Sequence, residues 1–455
     1  LTEALGADEA GFRRRDNDVS LKESTVDRRT VLRGMAAAPV AGAPATGMLA
    51  GSAPKRRVRL GVNYTPSRNW WFSWSDWDRR SIVRDLADIA GLGMDHIRIM
   101  CLWPDFQPNT GHVRGEMLDR LAELLDLADA VRLDVEVTVF NGALSGFLFV
   151  PPWLLDNSTG RARNMFTDPT ALAAQHALLE AIATRIGAHR RFLGFDLSNE
   201  VNWFAQPLGM AITPEQGDAW HSALFATCER VAPGKLHVSG IDHYPWLNNA
   251  YFTREGLATS GAATACHTWA GWTNVIQRFG PLSTPSLHYS EYFVELLKAF
   301  HTDLRRPVWI EETGVSTKWM DAALIPEWTE RSIRNMASCG ELFGITWWCS
   351  HDLNPGLAGF NPLEHDLGLI DPRGARKPIG SVIARLASEF DRHPPQVLPR
   401  PVALVLPEGT VPGLSFLTAW AKLVDQGVRP AIVRQSRSTD AWYLAARRID
   451  RLVLP

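Results

Sequence analysis

Two carboxylates in this chain stand where an ionisable group is costly unless it has work to do. The run Phe192-Leu193-Gly194-Phe195-Asp196-Leu197 has the character of a buried strand, and it leads through Ser198 into Asn199-Glu200. A second run, Pro307-Val308-Trp309-Ile310, leads into Glu311-Glu312-Thr313-Gly314. In parallel-sheet proteins the ends of buried strands are where ligands bind. The competing local reading of Asn199-Glu200 is a helix N-cap amide followed by a first-turn glutamate. Two carboxyls that face each other across one bond suit the hydrolysis of a glycosidic link. One donates a proton to the leaving oxygen, while the other attacks the anomeric carbon or activates a water.

The elements that must position them alternate in type. Short apolar runs fall at about 58–64, 96–100, 133–140, 192–197, 236–241, 262–266, 307–311 and 343–348. Between them lie helical patterns at about 79–92, 117–131, 170–186, 214–231, 287–302 and 325–338, with a closing helix near 378–390. Thr213 before Pro214 is a good N-cap with proline in the first turn. Eight such units over some 330 residues predict an α/β protein with a (β/α)8 barrel and insertions. A doubly wound open sheet is the alternative, but the first turn lacks the GxGxxG fingerprint. In a barrel the strand ends converge on one face, so Glu200 after strand four lies across the mouth from Glu312 after strand seven. Alternation along a strand points neighbours to opposite sides, so only one of Glu311 and Glu312 is expected to face the mouth. The same face would collect Arg98, Asn141, Asn199, His243, Tyr244, His267, Trp269 and Trp348.

Composition narrows the classes further. A net charge of −2 gives no basic field for nucleic acid. Five scattered cysteines with no CxxC pair supply neither a disulfide framework nor a zinc motif. GxSxG, GxxxxGK[ST] and HExxH are all absent, which argues against serine-hydrolase, P-loop and zincin chemistry. The 18 tryptophans stand out, many of them near strand ends. Some fill the core, and others, with Trp71 among the candidates, offer flat faces for sugar rings.

Both ends of the chain differ from the middle. Residues 1–54 read as a disordered polar tail followed by a twin-arginine-type export signal, with Arg28 and Arg29 as the pair and an Ala/Gly/Pro-rich run from Met35 to about Ala53. This predicts an exported bacterial protein, extracellular, periplasmic or at the cell surface. Pro39 and Pro44 make the run a poor membrane span. Residues 55–391 carry the barrel. Residues 392–455 read as a proline-rich linker and a βαβαβ pattern that stops on a strand at Pro455, which predicts a small, truncated flavodoxin-like module.

Asn199-Glu200 after the fourth strand, and Trp309-Ile310-Glu311-Glu312-Thr313-Gly314 at the seventh, resemble glycoside hydrolase family 5, within the clan of retaining barrel glycosidases. Arg98, His267 and Trp348 match further family positions, and the resemblance covers about residues 58–390. It implies Glu200 as acid/base, Glu312 as nucleophile, Asn199 on the sugar 2-hydroxyl, and Arg98 holding the nucleophile ionised. It implies no metal and no organic cofactor. The spacing to Gly314 favours Glu312 over Glu311. Two positions depart from the family pattern. Asn141 stands where a histidine is common, and His267-Thr268-Trp269 replaces His-x-Tyr. The indole N–H of Trp269, or His243 or Tyr244, is left to support the nucleophile. The loop from Asn63 to Trp71 is similar to a bacterial branch containing exo-β-mannosidases. The implied activity is therefore exo-cleavage of β-linked mannosides from a glycoside or oligosaccharide, with an endo-mannanase or β-glucanase as the alternative.

Two other classes compete. A non-catalytic carbohydrate-binding barrel would need the tryptophans but not both glutamates. A metal-dependent hydrolase would want His-x-His after strand one, where Asn63-Tyr64-Thr65 offers no ligand set.

Overall fold

A computed structural model of the chain describes residues 22–25 and 58–455. The proposed export signal lies outside the described residues. Eight parallel strands form the central sheet: β1 (Arg59–Asn63), β2 (His96–Leu102), β3 (Asp134–Asn141), β4 (Phe192–Asn199), β5 (Val238–Gly240), β6 (Thr264–His267), β7 (Val308–Thr313) and β8 (Leu342–Trp347). Their order, β5-β4-β3-β2-β1-β8-β7-β6, is that of a barrel opened between β5 and β6. Two backbone hydrogen bonds close this seam, His267 N to Ile241 O and Ala262 N to His237 O, both 2.8 Å. The (β/α)8 architecture is therefore as the alternation predicts.

Several of the helices between the strands start on side-chain caps. Asp78 caps Arg79–Gly91, Asp168 caps Pro169–Ile186, and Thr213 closes a capping box with Gln216 on Pro214–Val231. Each helix lays an apolar face on the outside of the barrel, which is where the main core sits. Among the described residues no helix is long and apolar enough to cross a membrane.

The barrel interior is not filled by branched aliphatics alone, the usual packing of this fold. His96, Trp309 and Thr346 form a hydrogen-bonded group within it, His96 Nε2 and Trp309 Nε1 each meeting the Thr346 hydroxyl at 2.8 Å. Arg98, Glu136, Asp196 and Glu311 are also fully buried. Room for them is made by omission: a Cβ on Gly240 would sit 2.6 Å from Arg98 Nη2 and 3.0 Å from Glu311 Oε2.

The C-terminal strands β9 (Val402–Leu406), β10 (Ala431–Arg434) and β11 (Arg451–Leu454) are parallel and ordered β11-β9-β10. This is the 2-1-3 start of a flavodoxin-like sheet. The strand Lys22–Thr25 pairs antiparallel with β11, so these four residues of the expected tail extend the sheet. The module seats on the barrel helix Tyr289–Phe300. Glu291 and Glu295 of that helix are fully buried and meet Arg400, Arg429 and Arg447 at 2.6 to 3.3 Å. Tyr292 donates to Pro412 O at 2.6 Å. Arg400, in the segment that reads as a linker, is thus an anchor.

Candidate active site

The site is assembled around Arg98 on β2. Its guanidinium donates from Nε and Nη2 to Asp196 Oδ2 at 2.9 and 2.7 Å, and from Nη1 to Asn63 Oδ1 at 3.0 Å. Nη2 also reaches Asn199 Oδ1 at 3.0 Å, and Nη1 reaches Glu312 Oε1 at 2.6 Å. Asp196 is itself held by Thr138 Oγ1 and Gly240 N at 2.6 and 2.7 Å. One buried cation therefore fixes groups from strands β1, β4 and β7 on a common frame.

Of the two readings of Asn199-Glu200 the strand end holds, and Asn199 caps no helix. β4 ends at Asn199, and Glu200 is the N-cap position of a short helix, Val201–Ala205. Its backbone is left-handed, φ 44°, and its side chain caps nothing. The carboxylate instead turns to the mouth, where Oε1 lies 2.8 Å from His267 Nδ1.

Glu311 and Glu312 depart from simple alternation. Cys266 pairs with Ile310 but His267 with Glu312, and Ile310 pairs with Ile345 but Thr313 with Trp347. The extra residue in β7 is a bulge, and bulges re-aim side chains. Both glutamates consequently point into the barrel. Glu311 contacts Arg98 Nε and His267 Nε2, each at 3.4 Å. Glu312 contacts Arg98 Nη1 and, at 3.3 Å, His267 Nδ1. Of the two, Glu312 is the one that shares His267 Nδ1 with Glu200. Gly314 follows because a Cβ there would sit 2.6 Å from Trp348 O and 2.8 Å from the Trp269 ring.

Trp269 Nε1 donates to Glu312 Oε2 at 3.3 Å, so the indole fills the supporting place left open by the missing tyrosine. His243 and Tyr244 do not. They open the helix His243–Asn248, with Tyr244 beside Trp203 at a ring separation of 5.9 Å. Asn199 donates to Ala143 O at 2.9 Å. Asn141 is fully buried at the end of β3, and its amide has no partner among the described residues. Trp348 meets Trp70 edge-on at 5.9 Å. Trp71 is no open platform. It packs on Phe72, Phe147, Phe149 and Phe360, with centroids 3.9 to 5.6 Å apart. This interlocks the loops after β1, β3 and β8. One mouth residue escapes sequence reasoning altogether: Glu364, on the turn Pro362–His365 of the β8 loop.

The electrostatics follow from burial and crowding. Burial pushes His267 down, but Glu312, Glu200 and Glu311 outweigh it and carry the imidazole up to about 10. Burial pushes Glu312 up, with His267 and Arg98 pulling against it, and the net direction is upward. Arg98 thus works in the direction the family resemblance implies, without cancelling the burial. Glu311 is also pushed up by burial, yet Arg98 and His267 hold it at about 2. Glu136 beneath it is raised well above the carboxylate range, first by burial and then by the Glu311 charge.

One oxygen each of Glu200 and Glu312 and one nitrogen of His267 lie within 4.8 Å of one another, a spacing open to a metal ion. The same three groups also satisfy one another directly, His267 Nδ1 lying 2.8 Å from Glu200 and 3.3 Å from Glu312, with Nε2 3.4 Å from Glu311.

A (β/α)8 barrel with two carboxylates meeting at its mouth over a buried arginine is the frame of a glycoside hydrolase. No protein-family model and no curated protein matches the chain, but solved structures do. GH5_18 from Streptomyces cattleya, in complex with GlcNAc, is 38% identical and has a TM-score of 0.84, covering 88% of this chain and 99% of its own. A variant of GH5_18 from Bifidobacterium longum subsp. longum, in complex with Manβ1-4GlcNAc, is 33% identical with a TM-score of 0.82, covering 87% and 96%. The exo-β-1,4-mannosidase of Opitutaceae bacterium strain TAV5 is 25% identical with a TM-score of 0.71, covering 83% and 69%. The chain belongs to glycoside hydrolase family 5.

Proposed function

We propose that the protein is a retaining, exo-acting β-mannosidase that releases mannose from the non-reducing end of β-linked mannosides. The observation that carries this reading is the approach of Glu200 and Glu312 to within 4.8 Å of each other, oxygen to oxygen, around His267. Retaining enzymes hold their two carboxyls close together, while inverting ones leave room between them for a water.

In this reading Glu312 attacks the anomeric carbon as the bond to the leaving oxygen breaks. Arg98 on Oε1 and Trp269 on Oε2 set the angle of its carboxylate. Glu200 passes a proton to the leaving oxygen and then takes one from the water that releases the sugar from Glu312. His267 Nδ1, 2.8 Å from Glu200 Oε1, orients the carboxyl that does this.

The exo mode rests on the aromatic closure. A line from β4 to β7 divides the ring of strands, and the interlocked Trp71, Phe147, Phe149 and Phe360 block the arc that runs through β8, β1 and β3. A closed side of this kind suits a short non-reducing-end site, as exo-cleavage needs. The open arc carries Trp272, 44% exposed beside Trp319, as a surface for the leaving sugar. The sugar is proposed from the relatives, two of which are complexed with Manβ1-4GlcNAc. Export by the twin-arginine route is proposed with it. It is supported by Arg28-Arg29 and by five cysteines that are all free and buried, suiting a protein folded before transport.

The test is a panel of aryl β-mannoside, β-glucoside and β-galactoside together with Manβ1-4GlcNAc and linear mannan. The expected outcome is preference for the mannosides, with mannose as the sole early product and its β-anomer formed first by NMR. Internal cleavage of mannan would give the endo reading instead. No turnover of any β-glycoside would return the barrel to a carbohydrate-binding role.

A further inference from the structure

The mouth holds a carboxylate that double displacement does not use. Glu364 lies half-buried on the turn Pro362–His365, in the long loop after β8. Its Oε2 accepts from Ser145 Oγ at 3.1 Å. Ser145 sits in the hairpin that follows β3, with φ 49°, so this contact ties the β8 and β3 loops together over the blocked arc. Among the described residues no cation pairs with Glu364, and its Oε1 accepts no hydrogen bond.

The turn that carries the side chain is nonetheless held firmly. Asn361 caps the turn, and Asp366 accepts from Ser316 Oγ at 2.6 Å and from Thr317 N at 2.9 Å. Lys377 Nζ donates to Asp366 O at 2.8 Å. Phe360 anchors the same loop on Phe147 with centroids 4.9 Å apart.

Burial pushes the Glu364 carboxyl up to about 7, and the charges of Glu312, Glu200 and Asp366 add to this, against the Ser145 hydrogen bond. A third acid facing two catalytic ones is unfavourable in the empty site. It becomes favourable when a ligand rich in hydroxyls fills the space, because a carboxyl oxygen with a free lone pair is the strongest acceptor a sugar hydroxyl can find. The position also decides which sugar. Glu364 belongs to the blocked arc, so it faces the non-reducing-end residue and not the leaving group.

We propose that Glu364 is a substrate-binding, specificity-determining residue whose Oε1 hydrogen-bonds to a hydroxyl on C3, C4 or C6 of the non-reducing-end mannose. The assignment rests on the exo-mannosidase reading above. It places Glu364 outside the bond-breaking steps, so its loss acts on binding more than on turnover.

The test is a double-mutant cycle between protein and substrate. Aryl β-mannoside and its 3-, 4- and 6-deoxy analogues are measured on the wild type, Glu364→Gln and Glu364→Ala. One deoxy analogue is expected to lose about tenfold or more in kcat/KM on the wild type. Glu364→Ala should lose about the same on the parent mannoside, mainly through KM, and show no further loss on that analogue. Glu364→Gln, which keeps the shape, should fall between. If all three deoxy penalties are the same in wild type and both variants, Glu364 does not bind the sugar while the mannosidase reading stands. If the wild type turns over no β-mannoside, that reading fails and takes this assignment with it.

Discussion

His267 Nδ1 lies 2.8 Å from Glu200 Oε1 and 3.3 Å from Glu312 Oε2, which places one imidazole between the two proposed catalytic carboxyls. The imidazole is raised from 6.5 to about 10 by the carboxylates around it, against burial. A group raised on folding stabilises fully below its unfolded value and loses that contribution as pH climbs through its folded value. Wild-type unfolding free energy should therefore fall between pH 7 and pH 10. In His267→Gln that part of the slope should be missing. Denaturant titrations at several pH values check this, and parallel slopes in the two proteins would show that His267 is not held protonated.

Glu200→Gln should lower kcat by about 10²–10⁴-fold on Manβ1-4GlcNAc, whose leaving sugar needs a proton. On an activated aryl mannoside, which leaves without help, the first step should be spared and the second slowed. Azide should then accelerate turnover and yield the β-mannosyl azide, read by NMR. Equal losses on both substrates with no effect of azide would move the acid/base elsewhere.

Arg98→Lys should behave as a severe change despite keeping the charge. An ammonium cannot reach Asp196, Asn63, Asn199 and Glu312 together, as the guanidinium does. Breaking such a buried network costs about 3–5 kcal/mol. Urea denaturation measures it, and a loss below about 1 kcal/mol would mean that the arginine frame is dispensable.

Glu136→Gln should be tolerated. Both oxygens of Glu136 lack a donor among the described residues, and burial with the Glu311 charge keeps its carboxyl neutral. A neutral amide of the same shape should change stability by less than about 1.5 kcal/mol and leave kcat/KM nearly as it was. A marked loss of thermal stability would indicate that Glu136 carries a charge on which Arg98 depends.

The eight strands were legible because each is a short apolar run between helical patterns, and burial on both faces leaves little room for another reading. Glu200, His267 and Glu312 were legible because they are polar residues at the ends of such runs, and Arg98 because it is a charge inside one. The facing of Glu311 was not. Period-two alternation assumes an unbroken ladder, and the bulge in β7 depends on its pairing with β6 and β8. Trp71 read as a sugar platform because nothing local shows that Phe147 and Phe360, far along the chain, cover it. Glu364 sits in a loop with no periodicity, where only the three-dimensional approach of Ser145 marks it. The fourth strand of the C-terminal sheet comes from residues 22–25, more than 400 positions from its partner.

The most direct test of the account is the product formed by Glu312→Gly in the presence of azide. Removing the nucleophile should abolish turnover of an aryl β-mannoside. Azide entering the vacated side should restore it, giving the α-mannosyl azide by NMR. Undiminished hydrolysis by Glu312→Gly, or rescue that yields the β-azide, would contradict the assignment of Glu312 as the nucleophile facing Glu200 across the mouth.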